Sequence, residues 1–219
     1  MRRPGVGILL LGLAVLGWAR PACGAEEARL LEATALGQGR EVVCRLRTAG
    51  LPTDKQLQSM RSGLVSAVDL DLAVVDAHDD ILTGRNLTLR LAFDLWEQFF
   101  SVRTGDLEQR FPDLESLRAY LAEIPAVPVA GLGELTDQES YRLRVGLTVH
   151  AIAPDERARI EDVVAGERRP RREGQDTQEA SVGLGRLIRI FYKGGGDGSD
   201  GLETRSGWFT LRELPHAPH

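Results

Sequence analysis

The densest group of chemistry-bearing side chains is Asp76, His78, Asp79 and Asp80, three carboxylates and an imidazole within five positions. Oxygen ligands with one imidazole suit a divalent cation, and a cation held there could activate water for hydrolysis. The opposing reading is a solvated turn, where aspartate is common because its carboxylate hydrogen-bonds nearby backbone N–H groups. A second group, Gly195-Gly196-Asp197-Gly198-Ser199-Asp200-Gly201-Leu202-Glu203, fits the glycine-rich nonapeptide that binds calcium in parallel β-rolls. Such rolls hold metal between stacked turns. A single copy lacks the neighbour that completes the shell, so a glycine-rich hairpin loop over 194–201 is favoured and no cofactor is expected.

Nucleophilic chemistry has little to draw on. Cys44 stands between Val43 and Arg45 in a strand-like context with no histidine near it in sequence, which suits a buried structural thiol rather than a reactive one. His150 falls on the polar face of a strand, where a surface position is expected, and His216 and His219 lie in a tail expected to fray. The chain contains no Gly-x-Ser-x-Gly elbow, phosphate loop, dinucleotide fingerprint or paired-histidine zinc motif. With 32 acidic residues, carboxylate pairs are too common to nominate a catalytic one.

Interaction chemistry is better represented. Trp208 and Phe209 form one aromatic group, and Trp96, Phe99 and Phe100 another. Exposed aromatics concentrate binding energy, but at 5% of the chain the core is expected to claim most of them. Arg168, Arg169, Arg171 and Arg172 surround Pro170 and could meet an acidic partner; the flanking Glu167 and Glu173 suit a solvated loop equally well. The partner-binding candidates are therefore Trp208 and Phe209 with these four arginines, and the metal candidates are Asp76, His78, Asp79 and Asp80.

The first residues bear on where these groups would operate. Arg2 and Arg3 precede an apolar run from Val6 to Trp18, and the small residues Ala22, Cys23, Gly24 and Ala25 follow, the pattern of a secretory signal peptide. The run is too short for a stable membrane span. Cleavage after Ala25 would remove Cys23, leave Cys44 alone, and deliver the chain to the periplasm or exterior without an internal disulfide. The alternative is a lipoprotein anchored at Cys23, against which Arg20 stands where an aliphatic residue is normally needed. The net charge of -5 includes the leader arginines, so the mature chain is more acidic still, a poor match for nucleic acid.

The elements that must position these side chains can be read from periodicity. Val68, Leu70, Leu72 and Val74 alternate with polar or small residues, as do Leu87, Leu89, Leu91 and Phe93 after a turn at Ala77 to Asp80. Ala28 to Leu36 and Glu41 to Arg47 form an opening hairpin. Trp96, Phe99 and Phe100 break the alternation, which suggests a bulge, and Tyr141 to His150 gives a further strand. Thr53 with Gln56 makes a capping box for a short helix ending at Gly63. Asp113 caps a second helix through Leu114, Leu117, Leu121 and Ile124 that Pro125 and Pro128 stop, and Pro154 opens a third. A polar stretch at 167–180 reads as a flexible loop, Leu184 to Tyr192 as strand or helix, and Trp208 to Leu211 as a closing strand. Seven or eight strands with two or three short connecting helices predict a single mainly-β domain over 26–219, a β-sandwich of immunoglobulin-like form.

With those residues in place, the chain resembles a proteobacterial exported family of unknown function whose members are commonly encoded beside nitrogen-regulation-type sensor kinases. The resemblance rests on the opening hairpin, Met60-Arg61-Ser62-Gly63, the long strand pair, Phe111-Pro112-Asp113-Leu114-Glu115-Ser116-Leu117, and Tyr141-Arg142-Leu143-Arg144-Val145-Gly146-Leu147. The chain departs from that family in its thin tryptophan content after the central turn and in its arginine-rich and glycine-rich insertions. The resemblance implies an envelope protein with a sensory accessory role and carries over no catalytic residue. The expected function is a noncatalytic exported module that binds another envelope protein, with a sensor kinase as the candidate partner. The alternatives are a metal-dependent hydrolase and a small-ligand or lipid carrier.

Overall fold

A computed structural model of the chain describes residues 27–137, 139–164 and 201–216. The alternating stretches around the central turn become β3 (Ser66–Val75) and β4 (Ile81–Phe93), paired antiparallel with Val68 opposite Leu89 and Leu70 opposite Leu87. On the other side of β3 runs β8 (Arg142–His150), which sets Leu147, Val145 and Leu143 against Leu70, Leu72 and Val74. β5 (Phe100–Thr104), β6 (Leu107–Phe111) and β9 (Gly201–Arg205) extend this sheet to the order β6-β5-β4-β3-β8-β9. A second antiparallel sheet has the order β1-β2-β7, from β1 (Arg29–Gln38), β2 (Glu41–Ala49) and β7 (Glu123–Gly131).

The apolar faces of the two sheets share one core. Val42, Cys44 and Leu46 of β2 meet Val68, Leu70, Leu72 and Val74 of β3 and Leu143, Val145 and Leu147 of β8, all essentially inaccessible to solvent. Neither sheet could bury its apolar face alone, so the expected sandwich follows from period-two patterning in both. At its corner the buried Tyr141 hydroxyl accepts from the Thr136 N–H (2.8 Å), with the Thr136 carbonyl and a Glu139 carboxylate oxygen each 3.1 Å away. A tyrosine hydroxyl bonded to backbone a few residues upstream is the corner device of immunoglobulin-type sandwiches.

Among the described residues three helices brace the sheets: α1 (Asp54–Arg61), α2 (Leu114–Ala122) and α3 (Pro154–Val164). The expected capping box is present, Thr53 accepting from the Gln56 N–H at 3.3 Å and Gln56 accepting from the Thr53 N–H at 3.0 Å. Gln56 is fully buried, and its side-chain amide donates to the carbonyls of Ala67 (3.1 Å) and His150 (3.4 Å), tying α1 to β3 and β8. Asp113 caps α2 through the Ser116 N–H at 2.8 Å.

Five expectations are corrected. Ile124 does not end α2; it lies in β7, whose Pro125 and Pro128 are tolerated because β7 is an edge strand, where a missing N–H breaks no ladder on the outer side. The break near Trp96 is no bulge but a turn leading into the β5–β6 hairpin. Trp208 to Leu211 form no strand, since Phe209 makes only an isolated bridge to Tyr141; Gly201, assigned to a loop, instead begins β9. The tail is pinned through His216: Leu214 is buried, and the Gly37 N–H donates to the Pro215 carbonyl at 2.7 Å. The expected leader, the loop at 167–180, the segment Leu184 to Tyr192 and His219 lie outside the described residues.

Candidate functional site

At one end of the six-stranded sheet, the turn after β3 carries the aspartates singled out as metal ligands. Asp76 accepts the N–H groups of His78 (2.8 Å) and Asp80 (2.9 Å), so its carboxylate closes the turn rather than facing a cation. Asp79 sits at φ 71° and is clamped by two arginines, Arg142 from β8 at 2.8 Å and Arg205 from β9 at 3.0 Å. The Arg142 hydrogen bond and the charges of the neighbouring arginines outweigh partial burial and hold the Asp79 carboxyl below the usual carboxylate range. Among the described residues no three His, Cys, Asp or Glu side chains converge on a common point. The carboxylates of Asp76 and Asp79 are thus engaged by turn N–H groups and by arginines.

Arg142 also carries the indole of Trp208, with the guanidinium carbon 4.6 Å from the ring centroid. Two separately chosen residues, Asp79 and Trp208, therefore meet through one arginine. Trp208 remains half exposed, whereas Phe209 packs into the core beside Tyr141, ring centroids 6.1 Å apart, and is withdrawn as a partner contact. Glu203, the last residue of the nonapeptide, is bound by Arg144 at 2.9 Å. Arg168, Arg169, Arg171 and Arg172 lie outside the described residues.

The outer face of the same sheet holds His150, Asp69 and Thr88. The His150 Nε2 lies 3.0 Å from one Asp69 oxygen, and the Thr88 hydroxyl donates to the other at 2.6 Å. A hydrolytic relay needs the imidazole between hydroxyl and carboxylate, because it must take the proton from the nucleophile. Here the carboxylate stands in the middle, so the trio locks β3, β4 and β8 together and does not activate Thr88. Cys44 is likewise no nucleophile: it is fully buried, and burial pushes its thiol up to about 12.

The opposite end of the β3–β4 hairpin presents a different surface. After β4 the chain makes a tight turn in which Asp94 accepts the N–H groups of Trp96 (2.8 Å) and Glu97 (2.9 Å). Backbone bonds from Gln98 to Asp94 and from Asp94 to Phe99, both 2.9 Å, close it, with Gln98 in the left-handed region at φ 58°. These N–H donors hold the Asp94 carboxyl low, so the turn keeps its anion at any pH near neutral. At its apex Trp96 is 94% exposed, with Leu95 half exposed beside it. Arg110 of β6 lies over the Phe99 ring, 4.7 Å from its centroid, which fixes the base of the turn.

Trp96 lies outside the core, which was expected to claim most of the aromatic groups. Phe100 is indeed buried. The available signal was Asp94 two residues before the tryptophan, an aspartate placed to cap a turn and so to rotate Trp96 away from the core. Set beside known protein families, curated proteins and solved structures, the chain finds no match in any of the three.

Proposed function

We propose that this chain is a noncatalytic module of the bacterial envelope that binds another envelope protein, with Trp96 as the anchor. One observation carries the reading: a tryptophan 94% exposed on a turn held by four hydrogen bonds. A large apolar side chain kept in water contributes nothing to the fold, and presenting it on a preorganised turn lowers the ordering cost of binding. Tryptophan is also among the residues that most often dominate an interface. Asp94 and Glu97 flank it on an acidic chain, which favours a protein surface over anionic lipid.

The envelope location rests on the leader pattern of Arg2, Arg3 and the apolar run to Trp18, and among the described residues no helix is long and apolar enough to cross a membrane. The suggested partner is the extracytoplasmic part of a sensor kinase, in keeping with the family resemblance. The hydrolase reading has no converging ligand set among the described residues to support it. The test is recovery of tagged protein after crosslinking in intact cells, wild type against Trp96→Ala. The proposal expects one envelope protein with the wild type, its loss in the variant at unchanged thermal stability, and a mature N-terminus after Ala25. Equal recovery from both proteins rejects Trp96 as the anchor.

A further inference from the structure

A cleft on the outer face of the six-stranded sheet, of about 150 Å³, is lined by Val65, Arg90, Ala92, Ser101, Arg103 and Glu108. We propose that it binds a small oxyanion, the carboxylate or phosphate group of a small molecule, through Arg90 and Arg103. The two arginines stand directly opposite each other on β4 and β5. Like charges in directly paired positions repel, so the sheet keeps them there at a cost unless an anion lies between them. The nearby carboxylates only partly relieve this. Asp155 at the start of α3 takes one Arg90 terminal nitrogen at 2.8 Å, leaving the Arg90 Nε buried without a hydrogen-bond partner. Glu108 lies across from Arg103 in register but is engaged by Arg110 at 3.5 Å, and among the described residues no carboxylate pairs with Arg103.

A buried donor without an acceptor carries a desolvation penalty, and the arginine that bears it lines a space large enough for a phosphate or carboxylate group. Arg103 and Ser101, which line the same cleft, carry further donors. Planar guanidinium forks match the oxygens of carboxylate and phosphate, which is the recognition chemistry arginine performs best. Glu108, which also lines the cleft, disfavours large polyanions, so the ligand is a small molecule rather than a nucleic acid.

The experiment is an NMR titration of the purified protein with inorganic phosphate and, separately, with acetate, at constant ionic strength maintained with chloride. The proposal expects saturable shifts of the Ser101 and Arg103 amides, with the midpoint raised at least tenfold in Arg103→Gln. The tighter of the two anions identifies the chemical source. Because Arg90→Gln also breaks the Asp155 contact and can perturb folding, the exposed Arg103 carries the test, and a preserved spectrum elsewhere confirms that its variant is folded. Linear, unsaturable shifts with both anions, or an unchanged midpoint in Arg103→Gln, overturn the proposal.

Discussion

Asp79 is the residue whose surroundings most change its chemistry. Its carboxyl is held below the ordinary value by the Arg142 hydrogen bond and by the charges of Arg205, Arg142 and Arg144. A depressed folded-state pKa means that the carboxylate stabilises the fold fully above the unfolded value of about 3.9, and that this contribution is lost as pH falls through the folded value. Asp79→Asn should therefore flatten the acid side of the stability curve below about pH 4 and leave the neutral range level. Its side chain is 37% exposed, so the neutral-pH cost should stay under about 1 kcal/mol. Urea midpoints at several pH values check this, and an unchanged acid limb in the variant contradicts it. Cys44 gives a second prediction. With its thiol pushed up to about 12 and no accessible surface, it should resist aromatic disulfide reagents in the native protein and react stoichiometrically in urea.

Among the elements, α1 packs Leu57 and Met60 into the core and is tied to β3 and β8 by the buried Gln56 side chain. Gln56→Ala removes two donors to the Ala67 and His150 carbonyls as well as half of the capping box. Stranding two acceptors in a sealed site should cost about 2–4 kcal/mol, read as a lower urea midpoint at unchanged slope. A cost below about 0.5 kcal/mol would show that α1 is secured some other way.

That helix was legible in advance because Thr53, Gln56 and Gly63 act within a few residues of one another. β3, β4 and β8 were legible for a similar reason, since alternation records which face is buried. β7 was not, because the tolerance of Pro125 and Pro128 depends on the strand lying at an edge, a property of sheet order. β6 was missed because its residues, Leu107 to Phe111, are almost all exposed and show no apolar alternation. The turn aspartates were read without their arginines, which come from 63 and 126 positions away.

At the scale of the molecule, the two exposed tryptophans among the described residues mark opposite ends of the central hairpin. Arg142, on which Trp208 stacks, pairs with Val75 at one end of β3, whereas Ser66 pairs with Leu91 at the other, just before the Trp96 turn. Trp208 is partly used by the fold, through Arg142. Trp96 is not, so Trp96→Ala should leave the melting temperature within about 1 °C of wild type, consistent with the small effect of surface changes away from packed or strained positions. The hydrogen-bonded turn that carries Trp96 is the reason the proposal takes it, rather than Trp208, as the anchor.

The most direct measurement places a photoreactive benzoylphenylalanine at position 96, with position 208 as the comparison, and irradiates intact cells. The account predicts a discrete adduct with one envelope protein from position 96 and little or none from position 208. No adduct from position 96, in a protein that is exported and folded, would contradict it, as would the same adduct formed only from position 208.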